Sequence, residues 1–188
     1  MKKLNLKEIL IPTIALLLIC LVATSLLAGT NMITKDKIAL NAVETEKASR
    51  MVVLPEGKEY SEVTEINDDI TYCIGTNEAG EEVGYVFTSK AKGYGGDVSI
   101  MVGIAKDGTI TGVEILSHSE TPGLGANSTK PEFKDRFIGK SGELTVDKNS
   151  NDGQNVQAIT AATITSKAVV KAVNAVTAAY EEITGGAK

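Results

Sequence analysis

The stretch from Ile9 to Ala28 contains no charged residue, and no other feature limits the fold of this chain so strongly. At a helical rise of about 1.5 Å per residue, about 20 residues reach roughly 30 Å, the thickness of a bilayer's hydrocarbon core. A cleavable signal peptide is the competing reading, with Leu27-Ala28-Gly29 as its cleavage site. Such peptides usually carry a shorter apolar core, about 7–15 residues. The run therefore predicts a transmembrane anchor over 9–29. Lys2, Lys3 and Lys7 precede it and favour a cytoplasmic N-terminus, residues 1–8, which sends the rest of the chain across the membrane. Lys35 and Lys37 follow it and dilute that signal.

Beyond the anchor, Ile38, Val43 and Met51 alternate with charge clusters as far as Pro55. This pattern predicts a helical stalk over 30–56, stopped by the proline. After Gly57 the apolar period changes to two. Ile70 to Gly75 and Glu82 to Thr88 read as strands around the turn signal Asn77-Glu78-Ala79-Gly80. Val98 to Ala105 and Thr109 to Leu116 flank Asp107-Gly108, the strongest short-range hairpin signal. Pro131 to Ile138 suits a short helix with Phe133 and Phe137 on one side, and Gly142 to Val146 suits another strand. In the closing segment Val169, Val173, Val176, Tyr180 and Ile183 recur at spacings of four and three, one apolar helix face. The expected fold class is α+β: one N-terminal transmembrane helix, then a mostly antiparallel sheet packed with helices over 57–188.

Several function classes fall away. A net charge of −5 without a basic stripe argues against nucleic acid as a partner. His118 is the sole histidine, which excludes a multi-histidine metal site, so no metal is expected. No Gly-x-Ser-x-Gly elbow and no Cys-x-x-Cys occur, and no catalytic residue is assigned. Cys20, in the apolar run, and Cys73, in a strand, are badly placed to bond each other.

Three stretches could hold a ligand. The first is Thr160-Ala161-Ala162-Thr163, with Thr165 close behind, at the start of the closing helix. Small side chains leave the backbone and a hydroxyl open there, and the unpaired N–H groups and positive dipole end favour a phosphate. The same residues would also make an ordinary strand or helix cap. The second, Glu120-Thr121-Pro122-Gly123-Leu124-Gly125, follows the last hairpin strand in a low-bulk turn against which a flat ring could lie. Glu120 and Thr121 could offer a carboxylate and a hydroxyl to such a ring. The third is Gly93-Tyr94-Gly95-Gly96, an open backbone around one aromatic side chain.

Thr160-Ala161-Ala162-Thr163 resembles the Ser/Thr-Gly/Ala-Ala-Thr flavinylation motif of the FMN-binding domain family, and the Glu120–Gly125 loop resembles that family's Glu-Thr-Pro-Gly-Leu-Gly flavin loop. With the anchor and stalk, the resemblance covers essentially the whole chain. It is greatest to the G subunits of Rnf ion-translocating electron-transport complexes, followed by the C subunits of the sodium-translocating NADH:quinone oxidoreductase. Two positions depart from the pattern: Ala161 stands where glycine is common, and Gln157 where an aspartate often precedes the motif. The resemblance implies FMN bound covalently by a phosphoester to Thr163. It places Thr160, Ala161, Ala162, Thr165, Glu120, Thr121, Gly123, Leu124, Gly125, Tyr94 and Gly95 around the cofactor. It further implies a non-autonomous electron-transfer component in the cytoplasmic membrane, single-pass, with its C-terminal domain on the extracytoplasmic side. The implied partners are the other membrane components of an Rnf-type complex, which couples ferredoxin/NAD electron transfer to sodium or proton translocation, and a flavin transferase for maturation. A component like the C subunit of a quinone reductase and a non-redox extracytoplasmic binding module are the alternatives.

Overall fold

The computed structural model describes residues 6–185. The chain divides into two units, one ending at Glu44 and the other beginning at Thr45. The long helix α1 (Leu6–Val53) supplies the described part of the first. Its apolar side chains between Ile9 and Leu27 are exposed on all sides, as in a helix whose surroundings are apolar rather than watery. The helix is long and apolar enough to cross a membrane. It stops at Val53, where Pro55 biases the residue before it away from helical geometry.

The second unit is built on a six-stranded antiparallel sheet. Strands β3 (Ile70–Thr76), β4 (Glu82–Lys92), β5 (Asp97–Ala105) and β6 (Ile110–Ser117) follow each other as neighbours. Two short segments, β1 (Glu59–Tyr60) and β2 (Thr64–Asn67), share the outer edge of β3. Each long strand corresponds to a period-two run, and the turns form as their residues dictate. Asn77 Oδ1 accepts the N–H groups of Ala79 and Glu81 at 2.9 Å each. Gly108 takes the left-handed conformation, φ 84°, that closes the β5–β6 hairpin.

One sheet face carries the main core. Phe87, Ile100, Val102, Ile104 and Val113 pack against helix α3 (Thr163–Thr184) through Val169, Val173, Val176 and Tyr180. The valine face predicted from spacing is this contact, except for Ile183, which is exposed near the end of the helix. Tyr180 donates to the Lys106 carbonyl at 2.7 Å. Asn174 fastens the middle of α3 by accepting from Leu144 N and donating to Leu144 O, at 2.9 and 2.8 Å.

The opposite face receives the end of α1. Val53 and Leu54 are buried there with Cys73, Val86 and Met101. They approach closely because Gly103 and Gly112 oppose each other across β5 and β6. A Cβ on Gly112 would lie 2.8 Å from Val53 Cα, and one on Gly103 would overlap the Val53 carbonyl. Thr111 Oγ1 donates to that carbonyl. This packing draws the last turns of α1 into the compact unit. Its boundary is Thr45, not the Gly57 expected from the change in period.

Two further differences concern short elements. The strand expected over Gly142 to Val146 is β7 (Thr145–Asp147), which pairs in parallel with β8 (Asn155–Gln157) outside the main sheet. The helix expected over Pro131 to Ile138 is a single turn, α2 (Pro131–Lys134), followed by a tighter turn over Asp135–Phe137. Phe133 and Phe137 are both buried, with rings edge to face at 5.4 Å.

Candidate functional site

The start of α3 is shaped by Ser166, which is fully buried. Its hydroxyl accepts from Ile159 N at 2.9 Å and donates to the Ala162 carbonyl at 3.0 Å. Ala162 N bonds Ile159 O at 3.0 Å and closes a tight turn. At the crest of that turn Ala161 has φ 59°, the one non-glycine residue with positive φ among those described. The departure noted at Ala161 thus falls where only glycine is free of strain.

Ala162 occupies the N-cap position with no side-chain hydrogen bond to the helix. The N–H groups of the first turn therefore point outward without a side-chain cap, an arrangement suited to an anion. Thr163 begins the helix, half-buried. Among the described residues its hydroxyl has no hydrogen-bond partner.

A single carboxylate joins this helix start to the other two stretches. Glu120 is 6% exposed. Its Oε2 accepts from Thr165 Oγ1 at 2.7 Å, and its Oε1 accepts from the backbone N–H groups of Tyr94 and Gly95 at 2.8 and 3.2 Å. Burial acts to raise the Glu120 pKa, but the hydrogen bonds from Thr165, Gly95 and Tyr94, with a smaller contribution from His118, outweigh it and hold the carboxyl below its ordinary value. Glycine is required around this anion. A Cβ on Gly125 would lie 2.6 Å from Thr165 Oγ1 and closer still to the carboxylate, and one on Gly95 would overlap the Ser119 carbonyl.

These contacts form a cleft of about 520 Å³, within the usual range for a small-molecule site. The Glu120–Gly125 loop contributes Glu120, Thr121, Leu124 and Gly125; the helix start contributes Ala161, Ala162, Thr163 and Thr165; Tyr94 stands at the side, 72% exposed. Ile164, absent from the sequence expectations, adds an exposed apolar surface. An uncapped helix start, a free hydroxyl and apolar walls suit a phosphate ester carrying a flat ring.

The structure separates some residues that the sequence grouped. Thr160 is exposed and lines a neighbouring cleft of about 580 Å³ with Gly123, Lys130 and Arg136, across a ridge made by Leu124 and Ala161. Thr160 and Thr163, three apart, thus face different clefts. Gly95 contributes its N–H to Glu120 without lining the main cleft. Glu120 and Thr165 line the main cleft, with the Thr165 hydroxyl turned to the Glu120 carboxylate and that carboxylate also bonded to the protein backbone. Ser166 and Arg136, whose guanidinium donates to the Gln157 carbonyl, were not singled out from sequence. Ser166 had a signal in its position four residues after Ala162; Arg136 had none.

The fold and cleft define a small-molecule-binding α+β unit in a chain that also carries an apolar helix long enough to cross a membrane. Residues 93–178 match the FMN-binding domain, and residues 1–51 match the RnfG N-terminal region. The chain is 33% identical over 168 residues to the G subunit of the proton-translocating ferredoxin:NAD(+) oxidoreductase complex of Clostridium ljungdahlii, covering 89% of each. It is 38% identical over 188 residues to the G subunit of the Na(+)-translocating ferredoxin:NAD(+) oxidoreductase complex of Acetobacterium woodii, covering 90% of each. The crystal structure of NqrC from Shewanella oneidensis superposes with a TM-score of 0.50 at 25% identity, over 66% of this chain and 65% of that one. The chain belongs to the RnfG family, the G subunits of Rnf-type ion-translocating oxidoreductase complexes.

Proposed function

We propose that FMN is held in this chain by a phosphoester to Thr163 Oγ, in a domain carried on the extracytoplasmic face of the membrane. The observation that carries the reading is Thr163 itself, which lines the cleft at an uncapped helix start with a hydroxyl that has no hydrogen-bond partner among the described residues. The first-turn N–H groups of α3 would receive the phosphate oxygens. Ala161 and Ala162 leave room beside them. Leu124, Ile164 and the Tyr94 ring would cover the isoalloxazine and limit its access to water, and Thr121 is the polar group left to meet its edge. FMN supplies the acceptance and release of electrons; this chain holds and tunes it.

The protein would serve an Rnf-type complex that couples electron transfer between ferredoxin and NAD to ion translocation, as the names of its relatives state for those proteins. Residues 9–29 are the anchor, preceded by a cytoplasmic N-terminus over 1–8. The stalk begins at 30, and the other membrane components of the complex are the partners around this helix. Nothing in the cleft resembles a catalyst for making the ester. A separate flavin transferase would form the bond between Thr163 Oγ and phosphorus while breaking the pyrophosphate of FAD, releasing AMP and the threonine proton. A covalent link also fits a compartment where free FMN is scarce.

In-gel fluorescence under denaturing conditions tests the attachment. The wild-type band should fluoresce after co-production with a transferase, Thr163→Ala should be dark, and Thr160→Ala should remain bright. A bright Thr163→Ala band would move the attachment elsewhere.

A further inference from the structure

We infer that Glu120 is a positioning residue of this site, a buried clamp that holds the Tyr94–Gly95 turn and the first turn of α3 in register on either side of the cleft. The inference rests on Thr163 as the attachment residue and goes beyond it, because Glu120 acts through other protein groups.

Three segments meet on one side chain: Tyr94 and Gly95 through their N–H groups, the loop bearing Glu120 itself, and Thr165 two residues past the attachment hydroxyl. Both carboxylate oxygens are occupied by protein donors. The neighbouring glycines fit this use, since a Cβ at Gly93 or Gly125 would overlap the carboxylate. Glutamine could replace only one of the two acceptor oxygens, because its NH₂ group cannot accept from an N–H or O–H. Alanine would strand two backbone donors and the buried Thr165 hydroxyl. Among the described residues no lysine or arginine bonds Glu120. An anion held by neutral donors keeps its negative charge in the cleft wall, where it opposes the arrival of an electron on a bound ring.

The test uses full-length protein purified without flavin, then supplied with a flavin transferase and FAD. In-gel fluorescence reads the loading rate, and spectroelectrochemical titration reads the midpoint potential of the loaded form. Glu120→Gln should load at least about tenfold more slowly, since small displacements of a reacting group cost rate steeply. Thr165→Val should load several-fold more slowly, and Thr165→Ser, which keeps the donor, at the wild-type rate. The loaded fraction of Glu120→Gln should have a more positive potential than wild type, a change that a purely structural role would not produce. Wild-type loading by Thr165→Val, or an unmoved potential in Glu120→Gln, overturns the inference while leaving the attachment intact. A wild-type protein that never acquires covalent flavin overturns the attachment and this inference together.

Discussion

Ala161 is held at φ 59° by the bonds that Ser166 makes on either side of it, and an alanine in this region carries a steric cost that glycine avoids. Ala161→Gly should stabilise the second unit by about 1 kcal/mol despite the greater freedom of its unfolded chain. Urea unfolding of the detergent-solubilised protein would show a higher midpoint with an unchanged slope. Glu120 supplies a prediction about acid. Its carboxyl is held below the ordinary value in the fold, so its contribution is present above the unfolded value and lost as pH falls through the folded one. Glu120→Gln should unfold earlier at neutral pH and lose less stability across the acid range than wild type; parallel acid limbs would contradict this. The sequence revealed the Glu120–Gly125 turn as low in bulk and Gly93–Gly96 as an open backbone. It could not reveal that Glu120 faces inward, because residue type and spacing do not specify which donors a carboxylate finds.

At the scale of elements, legibility follows length. Strands β3 to β6 are long enough to display alternation, and Asp107-Gly108 marks the last of their turns, so the centre of the sheet could be read directly. β1, β2, β7 and β8 span two to four residues, too few for a period to appear, and their pairing is set by tertiary packing. The end of α1 misled for a different reason. Val53 and Leu54 follow a charged stretch and read as stalk, yet the small residues that admit them lie about 50 residues later, at Gly103 and Gly112. A side chain at either glycine would force this contact apart. Gly103→Ala should destabilise the second unit by about 3 kcal/mol or more, as overpacking against backbone does. Gly29→Ala, with nothing within 4 Å of the added carbon, should leave that unit's melting temperature unchanged. Thermal unfolding followed by far-UV circular dichroism distinguishes the two. Equal melting temperatures for Gly103→Ala and wild type would remove the close approach from the account.

For the whole molecule, one apolar helix and one small α+β unit divide the work between location and cofactor. The helix carries exposed leucine and isoleucine side chains on all sides through the anchor, so carbonate extraction at high pH should leave the protein in the membrane pellet. Protease added to spheroplasts should remove the C-terminal domain, whereas inverted vesicles should protect it; the reverse pattern would contradict the proposed orientation. The proposed phosphoester is what would keep the cofactor with the chain. Trypsin cleavage after Lys148 and Lys167 isolates a segment containing Thr160, Thr163 and Thr165, and its mass with fragmentation tests that claim most directly. From membranes of the native cell, this peptide should carry the mass of one FMN less one water, with the added mass on Thr163. The same peptide at the mass of its amino acids alone would contradict the account.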